Sequence, residues 1–288
     1  MSIKRRTLLQ LPALAALAQS RAAENRFKLS VRVEPLFRAM TLPQQMEKVA
    51  EAKYKGFEFG NWRAADPVEI NKVKNRLGLE CACLVGNRAV DPKGMTLVEP
   101  KDRDGFLTEI KASIEAAKSF ETTRLVTLTG NALPGVSREM QHRSIVEGLK
   151  AAHDVLDRAG VTLIVEPLNT LVDHKGYFLD HTNEAFEIMR EVGSPRVKIL
   201  FDIYHVQIMD GNLIATIKSN LQHIGHFHVG DVPGRHEPGS GEINYTNVFR
   251  AIQEGGFRDF VAMEYVPSKD PMATLAEVRS MAYGPGAE

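Results

Sequence analysis

Residues 201–210, FDIYHVQIMD, and residues 223–245, HIGHFHVGDVPGRHEPGSGEINY, decide the fold of this chain. Each segment contains a run of apolar residues that is typical of a buried strand, and a polar side chain stands where the run ends: Asp202 in the first and His228 in the second. Apolar runs without a clear alternation indicate strands that are buried on both faces, as in a parallel sheet. A loop rich in Gly, Pro, His and Arg follows the second run, and such loops often carry functional residues.

The same alternation of apolar runs and amphipathic helical segments continues along the chain. Eight strands are predicted, at residues 27–33, 56–60, 79–85, 123–130, 161–169, 197–205, 223–231 and 260–266. Eight strand–helix units in about 260 residues match a closed barrel better than an open sheet. No glycine-rich phosphate loop follows the first strand, which disfavours a doubly wound dinucleotide-binding fold. We therefore predict one α/β domain, a single (β/α)8 TIM barrel, over residues 23–288.

Composition and charge narrow the range of partners. The chain has 288 residues, of which 36 are Lys or Arg and 36 are Asp or Glu, so its formal net charge is zero. Because no basic block is present, nucleic acid and anionic membranes are poor candidates, and a small molecule is the expected partner. Cys81 and Cys83 lie two residues apart on a predicted strand, where a disulfide would be strained, and we expect them to be small core residues.

The N-terminus has the layout of a secretory signal peptide. Lys4, Arg5 and Arg6 precede an apolar run over residues 8–18, and small residues follow at 20–23. The apolar run is too short to span a bilayer as a mature helix, and the arginine pair resembles a twin-arginine export signal. We predict a signal peptide over residues 1–22, a periplasmic or exported protein, and no stable membrane association after its removal. If the leader is not functional, the protein is cytoplasmic.

Four polar residues stand at the ends of the last four predicted strands. Glu166 ends the fifth, Asp202 and His228 end the sixth and seventh, and Glu264 ends the eighth. In a (β/α)8 barrel the carboxyl ends of the strands face the active site, so these side chains should meet. Three close carboxylates would repel one another and take up protons unless a cation lay among them. Three oxygen ligands and one nitrogen ligand suit one divalent ion, with Mn²⁺, Mg²⁺ or Co²⁺ preferred over thiolate-seeking metals.

Several of these segments resemble a known superfamily. The motifs VEPLN, FDIYH, HFHVGDVPGRHEPGSGEINY and MEY resemble the xylose isomerase-like barrels, and VPGRHEPGSGEINY at residues 232–245 resembles the hydroxypyruvate isomerase family in particular. The resemblance covers residues 27–266 in layout and is strongest after residue 161. It implies the four metal ligands named above, and it implies that Glu166 and Glu264 double as the acid/base pair.

The resemblance also implies substrate contacts from His205, Arg235 and Glu242. Arg235 offers a planar fork that suits a substrate carboxylate, and the alternative is a salt bridge within its own loop. His205 could donate to a substrate oxygen or could orient Asp202 instead. Asn169, just past the fifth strand, could hydrogen-bond the substrate.

The implied activity is a metal-dependent isomerisation of a small hydroxy-carbonyl compound through an enediolate, with hydroxypyruvate and tartronate semialdehyde as the expected pair. Two positions depart from the family patterns. Related ketose 3-epimerases carry a Glu where this chain has Val172, and some hydroxypyruvate isomerases carry Gln where it has His228. The first departure argues against a close epimerase, and the second leaves the substrate open. The alternatives are a ketose 3-epimerase, a periplasmic lyase or hydratase acting on 3-keto sugars, and a non-catalytic carbohydrate-binding barrel, which the retention of all four ligands disfavours. A homo-oligomer is compatible with all of these.

Overall fold

The computed structural model of the protein describes residues 26–89 and 94–285, and within them it confirms the predicted parallel barrel. The predicted signal peptide lies outside the described residues. The strands are β1 (Lys28–Arg32), β2 (Gly56–Glu58), β3 (Glu80–Cys81), β4 (Leu84–Val85), β5 (Arg124–Thr127), β6 (Thr162–Val165), β7 (Val197–Asp202), β8 (Ile224–Val229) and β9 (Phe260–Met263). Their order is β3-β2-β1-β9-β8-β7-β6-β5-β4, and every pairing is parallel.

The third predicted strand, residues 79–85, is two short strands rather than one. Its first half, β3, pairs with β2, whereas its second half, β4, pairs with β5. Neighbouring strands of a closed barrel are staggered, so this short segment meets its two neighbours at different heights. The two edges of the sheet therefore belong to one stretch of chain, and only Ala82 and Cys83 separate them. The barrel is nearly closed.

The α-helices of the described residues cover the outside of the barrel. They are α1 (Val33–Leu36), α2 (Leu42–Glu51), α3 (Pro67–Leu77), α4 (Arg103–Ser119), α5 (Arg138–Ala159), α6 (Thr182–Val192), α7 (Ile203–Met209), α8 (Leu213–Asn220), α9 (Tyr245–Glu254) and α10 (Pro271–Tyr283). Ser137 caps the longest of them by accepting a hydrogen bond from the Met140 backbone N–H. Within the described residues, none of these helices combines the length and the apolar character that a bilayer span needs.

The sixth predicted strand, residues 197–205, is shorter in the structure than the sequence indicated. Strand β7 ends at Asp202, whose side chain accepts a hydrogen bond from the Tyr204 backbone N–H and caps α7. Asp is among the best N-cap residues, and here that preference outweighs the strand propensity of the Ile and Tyr that follow. His205 therefore lies on a helix and not on a strand.

Alternation along the strands divides the core into an outer and an inner part. Leu125 belongs to the large cluster between sheet and helices, whereas its neighbour Val126 belongs to a small separate cluster. Successive side chains of a strand point to opposite faces, so the small cluster fills the inside of the barrel. It comprises Cys83, Val126, Ile164 and Leu200. Both cysteines are buried and free, as predicted.

Candidate metal centre

The structure brings the four predicted ligands together at one end of the barrel. Each follows an apolar residue of the outer core, so each side chain points inward. One ligand atom from each of Glu166, Asp202, His228 and Glu264 lies within 4.8 Å of the others. The imidazole Nδ1 of His228 lies 2.9 Å from Oε2 of Glu264 and 3.6 Å from Oε1 of Glu166. The four side chains form a single cluster.

The donor atoms of this cluster fit a divalent cation. Nδ1 of His228 is buried and finds no hydrogen-bond partner of acceptable geometry in the part of the chain that the structure describes, although Oε2 of Glu264 is only 2.9 Å away. A buried imidazole nitrogen that faces three carboxylates has the arrangement of a metal ligand. The oxygen-rich set suits a hard or borderline ion better than one that prefers sulfur.

The electrostatic field of the carboxylates also favours positive charge inside the cluster. Burial lowers the pKa of His228, but the carboxylates of Glu264 and Glu58 raise it well above its ordinary value. Burial raises the pKa of Glu264, but the guanidinium of Arg235 and the imidazole of His228 hold it well below its usual range. Glu264 is therefore an anion at neutral pH, as a base or a metal ligand must be.

Arg235 reaches into the same cluster from the loop after β8. Its Nη2 donates to Oδ2 of Asp202 at 2.9 Å and to Oε2 of Glu264 at 2.5 Å, and its Nε donates to the Glu264 carbonyl oxygen at 3.3 Å. Among the described residues, Arg235 forms ion pairs with Asp202 and Glu264 and none with an acidic residue of its own loop. The backbone of Arg235 has a φ of 54°, a strained left-handed conformation for a residue other than glycine. The loop thus holds this guanidinium at the cluster at some conformational cost.

Asp231 organises that loop, and the sequence analysis did not single it out for this role. Its carboxylate is fully buried and accepts four backbone hydrogen bonds of 2.9–3.1 Å. The donors are the N–H groups of Val232, Gly239, Gly241 and Ile243. An acidic residue before a glycine-rich loop is the only sequence signal that could have suggested this.

His205 and Asn169 contact one another beside the cluster. Nδ1 of His205 accepts a hydrogen bond from the Asn169 backbone N–H at 3.2 Å, which leaves Nε2 as the protonated nitrogen, 3.4 Å from Oδ2 of Asp202. Burial, together with the nearby charge of Arg235, lowers the pKa of His205 to about 3, so the ring is neutral at pH 7. Asn169 is fully buried and also donates to Asp173 at 2.9 Å. This geometry makes His205 a hydrogen-bond donor at the edge of the cluster.

The structure does not bring Glu242 to the cluster. Its side chain is exposed, and its Oε1 accepts a hydrogen bond from Gln207 at 3.1 Å. Within the described residues, no hydrogen bond or ion pair joins Glu242 to the four ligands. The predicted substrate contact would need a different position of this side chain, because the segment after Asp231 turns it towards solvent.

Glu58 is a buried residue of the site that the sequence analysis missed. It ends β2 and is fully buried, with its Oε2 3.1 Å from Nε2 of His228 and its Oε1 2.8 Å from Nε2 of His226. Burial raises its pKa, but the two imidazoles hold it well below its usual value. A glutamate inside the apolar run GFEFG was the available signal. His226 and His228 point the same way from β8, because both contact this carboxylate.

Comparison with known proteins agrees with this geometry. The family model described as "Xylose isomerase-like TIM barrel" matches residues 46–282. The chain belongs to the xylose isomerase-like TIM barrel family. Hydroxypyruvate isomerase of Escherichia coli (strain K12) is 31% identical over 251 residues, which cover 86% of this chain and 96% of that protein. The 2-oxo-tetronate isomerase of Cupriavidus necator is 31% identical over 190 residues, covering 66% of this chain and 70% of that protein.

Among solved structures, the AP endonuclease of family 2 from Brucella melitensis superimposes on this member of the family with a TM-score of 0.80 and 27% identity, covering 88% of this chain and 98% of that one. The curated relatives are named as isomerases, and the chain is an isomerase of the xylose isomerase-like family.

Proposed function

We propose that this chain is a divalent-metal-dependent isomerase that interconverts hydroxypyruvate and tartronate semialdehyde. The observation that carries the proposal is the cluster of Glu166, Asp202, His228 and Glu264, with the guanidinium of Arg235 at its edge. The cluster fits Mn²⁺, Mg²⁺ or Co²⁺, and the guanidinium fits a substrate carboxylate. The relatives named above support an isomerase acting on 2-oxo acids.

In this proposal, two glutamates of the cluster transfer the protons. The chemistry that a divalent ion supplies at this site is Lewis acidity towards the carbonyl and hydroxyl oxygens of the substrate. One of the two glutamates, Glu166 or Glu264, removes a proton from the CH₂OH carbon, and the same or the facing glutamate returns a proton to the former keto carbon. The hydroxyl proton passes to the former keto oxygen. One C–H bond breaks and one forms, so no oxidant or co-reactant is needed.

His205 and Arg235 orient the substrate in this proposal. The neutral His205 ring has its Nε2–H 3.4 Å from Asp202, where it can also donate to a substrate oxygen. Arg235 offers further N–H donors to the carboxylate of a 2-oxo acid, and these hydrogen bonds fix the position of the carboxylate end of the substrate relative to the two glutamates. A 2-oxo acid with a hydroxyl group on the adjacent carbon satisfies both contacts, whether it has three carbons or four.

Product analysis in D₂O tests the proposal. Metal-loaded enzyme is incubated with hydroxypyruvate, with a ketohexose and with a 3-keto-glucoside, and the products are followed by NMR. We expect hydroxypyruvate to be converted to tartronate semialdehyde with solvent deuterium at carbon. Turnover of the ketohexose alone, with inversion at one carbon, would assign a 3-epimerase instead. Loss of water or of the aglycone from the 3-keto-glucoside would assign a hydratase or lyase. No turnover of any substrate, together with no solvent deuterium at carbon, would contradict proton-transfer chemistry altogether.

We also propose that residues 1–22 direct the folded protein out of the cytoplasm. The basic residues, the apolar run and the arginine pair support this. Fractionation of cells that express the full chain, beside the double variant Arg5→Lys/Arg6→Lys, tests it. We expect the wild type in the periplasm and the variant in the cytoplasm; a wild type found wholly in the cytoplasm would contradict export.

A further inference from the structure

Glu58 lies inside the barrel, next to the candidate metal centre but outside its ligand set. Its side chain is fully buried, and all three of its polar contacts are with groups that can donate a hydrogen bond. Ser30 donates its hydroxyl to Oε1 at 3.1 Å, His226 places Nε2 2.8 Å from the same oxygen, and His228 places Nε2 3.1 Å from Oε2. The carboxylate accepts hydrogen bonds from Ser30 and His228, whereas the close contact with His226 lacks hydrogen-bond geometry.

This arrangement decides which nitrogen of His228 is free for a metal. Because Oε2 of Glu58 is an acceptor, Nε2 of His228 must carry a proton. The opposite nitrogen, Nδ1, is the one that faces Glu166 and Glu264. A histidine that ligates a metal usually donates its other N–H to a carboxylate or a carbonyl, and this fixes the ring orientation. Glu58 is in the position of that carboxylate.

We propose that Glu58 is a positioning residue that keeps the proton of His228 on Nε2 and so presents Nδ1 to the bound ion. This inference rests on the proposed metal centre. The Ser30 hydroxyl holds the second oxygen of Glu58 by a hydrogen bond, and the His226 ring lies against the same oxygen, so both restrict rotation of the carboxylate. The chain of contacts joins β1, β2 and β8, although β9 lies between β1 and β8 in the sheet, and Glu58 is 170 residues from His228 in sequence.

A second metal site is the main alternative for this carboxylate. Glu58, Cys83 and His226 also place ligand atoms within 4.8 Å of one another. Cys83, however, packs with Val126, Ile164 and Leu200 inside the barrel, and burial raises the pKa of its thiol to about 12. The thiolate is the form that binds metals, so this second site requires the Cys83 thiol to lose its proton in apolar surroundings. The orienting role needs no such ionisation.

Replacement of Glu58 by Gln tests the inference without removing any ligand. The Gln side chain has nearly the same volume, but its amide can donate to Nε2 and so allows the proton to move to Nδ1. Mn²⁺ binding is measured by calorimetry on metal-free protein. We expect one Mn²⁺ per chain in both proteins, with the dissociation constant raised about 10–100-fold in Glu58→Gln, as is usual for the loss of such a partner. Glu109→Gln is the matched control: its half-buried carboxylate on α4 pairs with Arg88 and not with the cluster, and the Mn²⁺ affinity of this variant should equal that of the wild type.

A second readout follows the proton directly and does not depend on the variant. In ¹⁵N-histidine-labelled wild type loaded with Zn²⁺, a diamagnetic probe ion, we expect His228 to be protonated at Nε2 and metal-bound at Nδ1. Coordination through Nε2 would overturn the inference, even if Glu58→Gln does not fold. Unchanged Mn²⁺ affinity in a folded Glu58→Gln variant would also overturn it. A stoichiometry that falls from two ions to one would make Glu58 a ligand and overturn it as well. Failure of the wild type to bind any divalent ion is a distinct result, which overturns the metal centre itself.

Discussion

Replacement of Asp231 by Asn should loosen the loop that carries Arg235. The carboxylate of Asp231 uses both oxygens, each for two backbone N–H donors. An Asn amide keeps one oxygen but places an NH₂ group where the other two donors point. At least two hydrogen bonds are therefore lost, and two buried N–H groups face another donor.

The magnitude follows from these lost contacts. A hydrogen bond to a charged group contributes about 1.5–3 kcal/mol, so two of them amount to about 3–6 kcal/mol. For a domain of this size, 1 kcal/mol lowers Tm by about 2–4 °C, so even the lower figure lowers Tm by about 6–12 °C. Because the Arg235 backbone N–H also bonds to the Asp231 carbonyl oxygen, at 3.0 Å, the guanidinium should shift from its place. KM for the 2-oxo acid should then rise more than kcat falls.

Thermal unfolding followed by circular dichroism, together with steady-state kinetics, measures both effects. Asp270→Asn is the control, because Asp270 caps α10 through one exposed hydrogen bond to Ala273 and Asn caps helices as well as Asp does. We expect the control to melt within about 2 °C of the wild type, since a cap of equal quality changes little. An Asp231→Asn protein that melts as the control does, with unchanged KM, would refute the reasoning.

Three further predictions concern other parts of the molecule. Glu264→Gln should lower kcat by about 10²–10⁴-fold with the fold retained, and near wild-type turnover would remove Glu264 from the acid/base role. Burial lowers the pKa of His142, but the hydrogen bonds of this imidazole to Glu184 and Glu191 raise the pKa above its ordinary value of 6.5. The protonated ring therefore contributes fully to the unfolding free energy below pH 6.5, and this contribution is lost as the pH rises. Urea titrations should show this loss in the wild type and not in His142→Gln. The two buried cysteines should resist a thiol reagent at pH 8 in the native state and react after denaturation, and rapid native labelling would contradict their burial.

The barrel and the clustering of the four candidate ligands could be predicted from the sequence because both depend on local patterns. Apolar runs end in a charged residue at Glu166, Asp202 and Glu264, and the topology of a parallel barrel brings such ends together. His228 could be added to these three residues because it ends the apolar run of the one other strand in the second half of the chain. Metal affinity, the substrate and the export signal are still predictions.

The features that the sequence did not reveal depend on distant contacts or on competing local preferences. Glu58 resembled any glutamate near the end of a strand, because its partner His228 is 170 residues away. His205 was placed on a strand because Ile and Tyr favour strands, whereas the side chain of Asp202 caps a helix at that point. The split of the third strand arises from the stagger of the barrel, which has no signal within residues 79–85. Glu242 was assigned to the site by resemblance, and only the course of the loop shows that it faces solvent.

The location of a bound ion tests the central claim most directly. Crystals of the metal-free protein are soaked in Mn²⁺, and an anomalous difference map is calculated. We predict one peak per chain, within coordination distance of Glu166, Asp202, His228 Nδ1 and Glu264. No peak at these residues under saturating Mn²⁺, or a peak confined to Glu58, Cys83 and His226, would contradict the account.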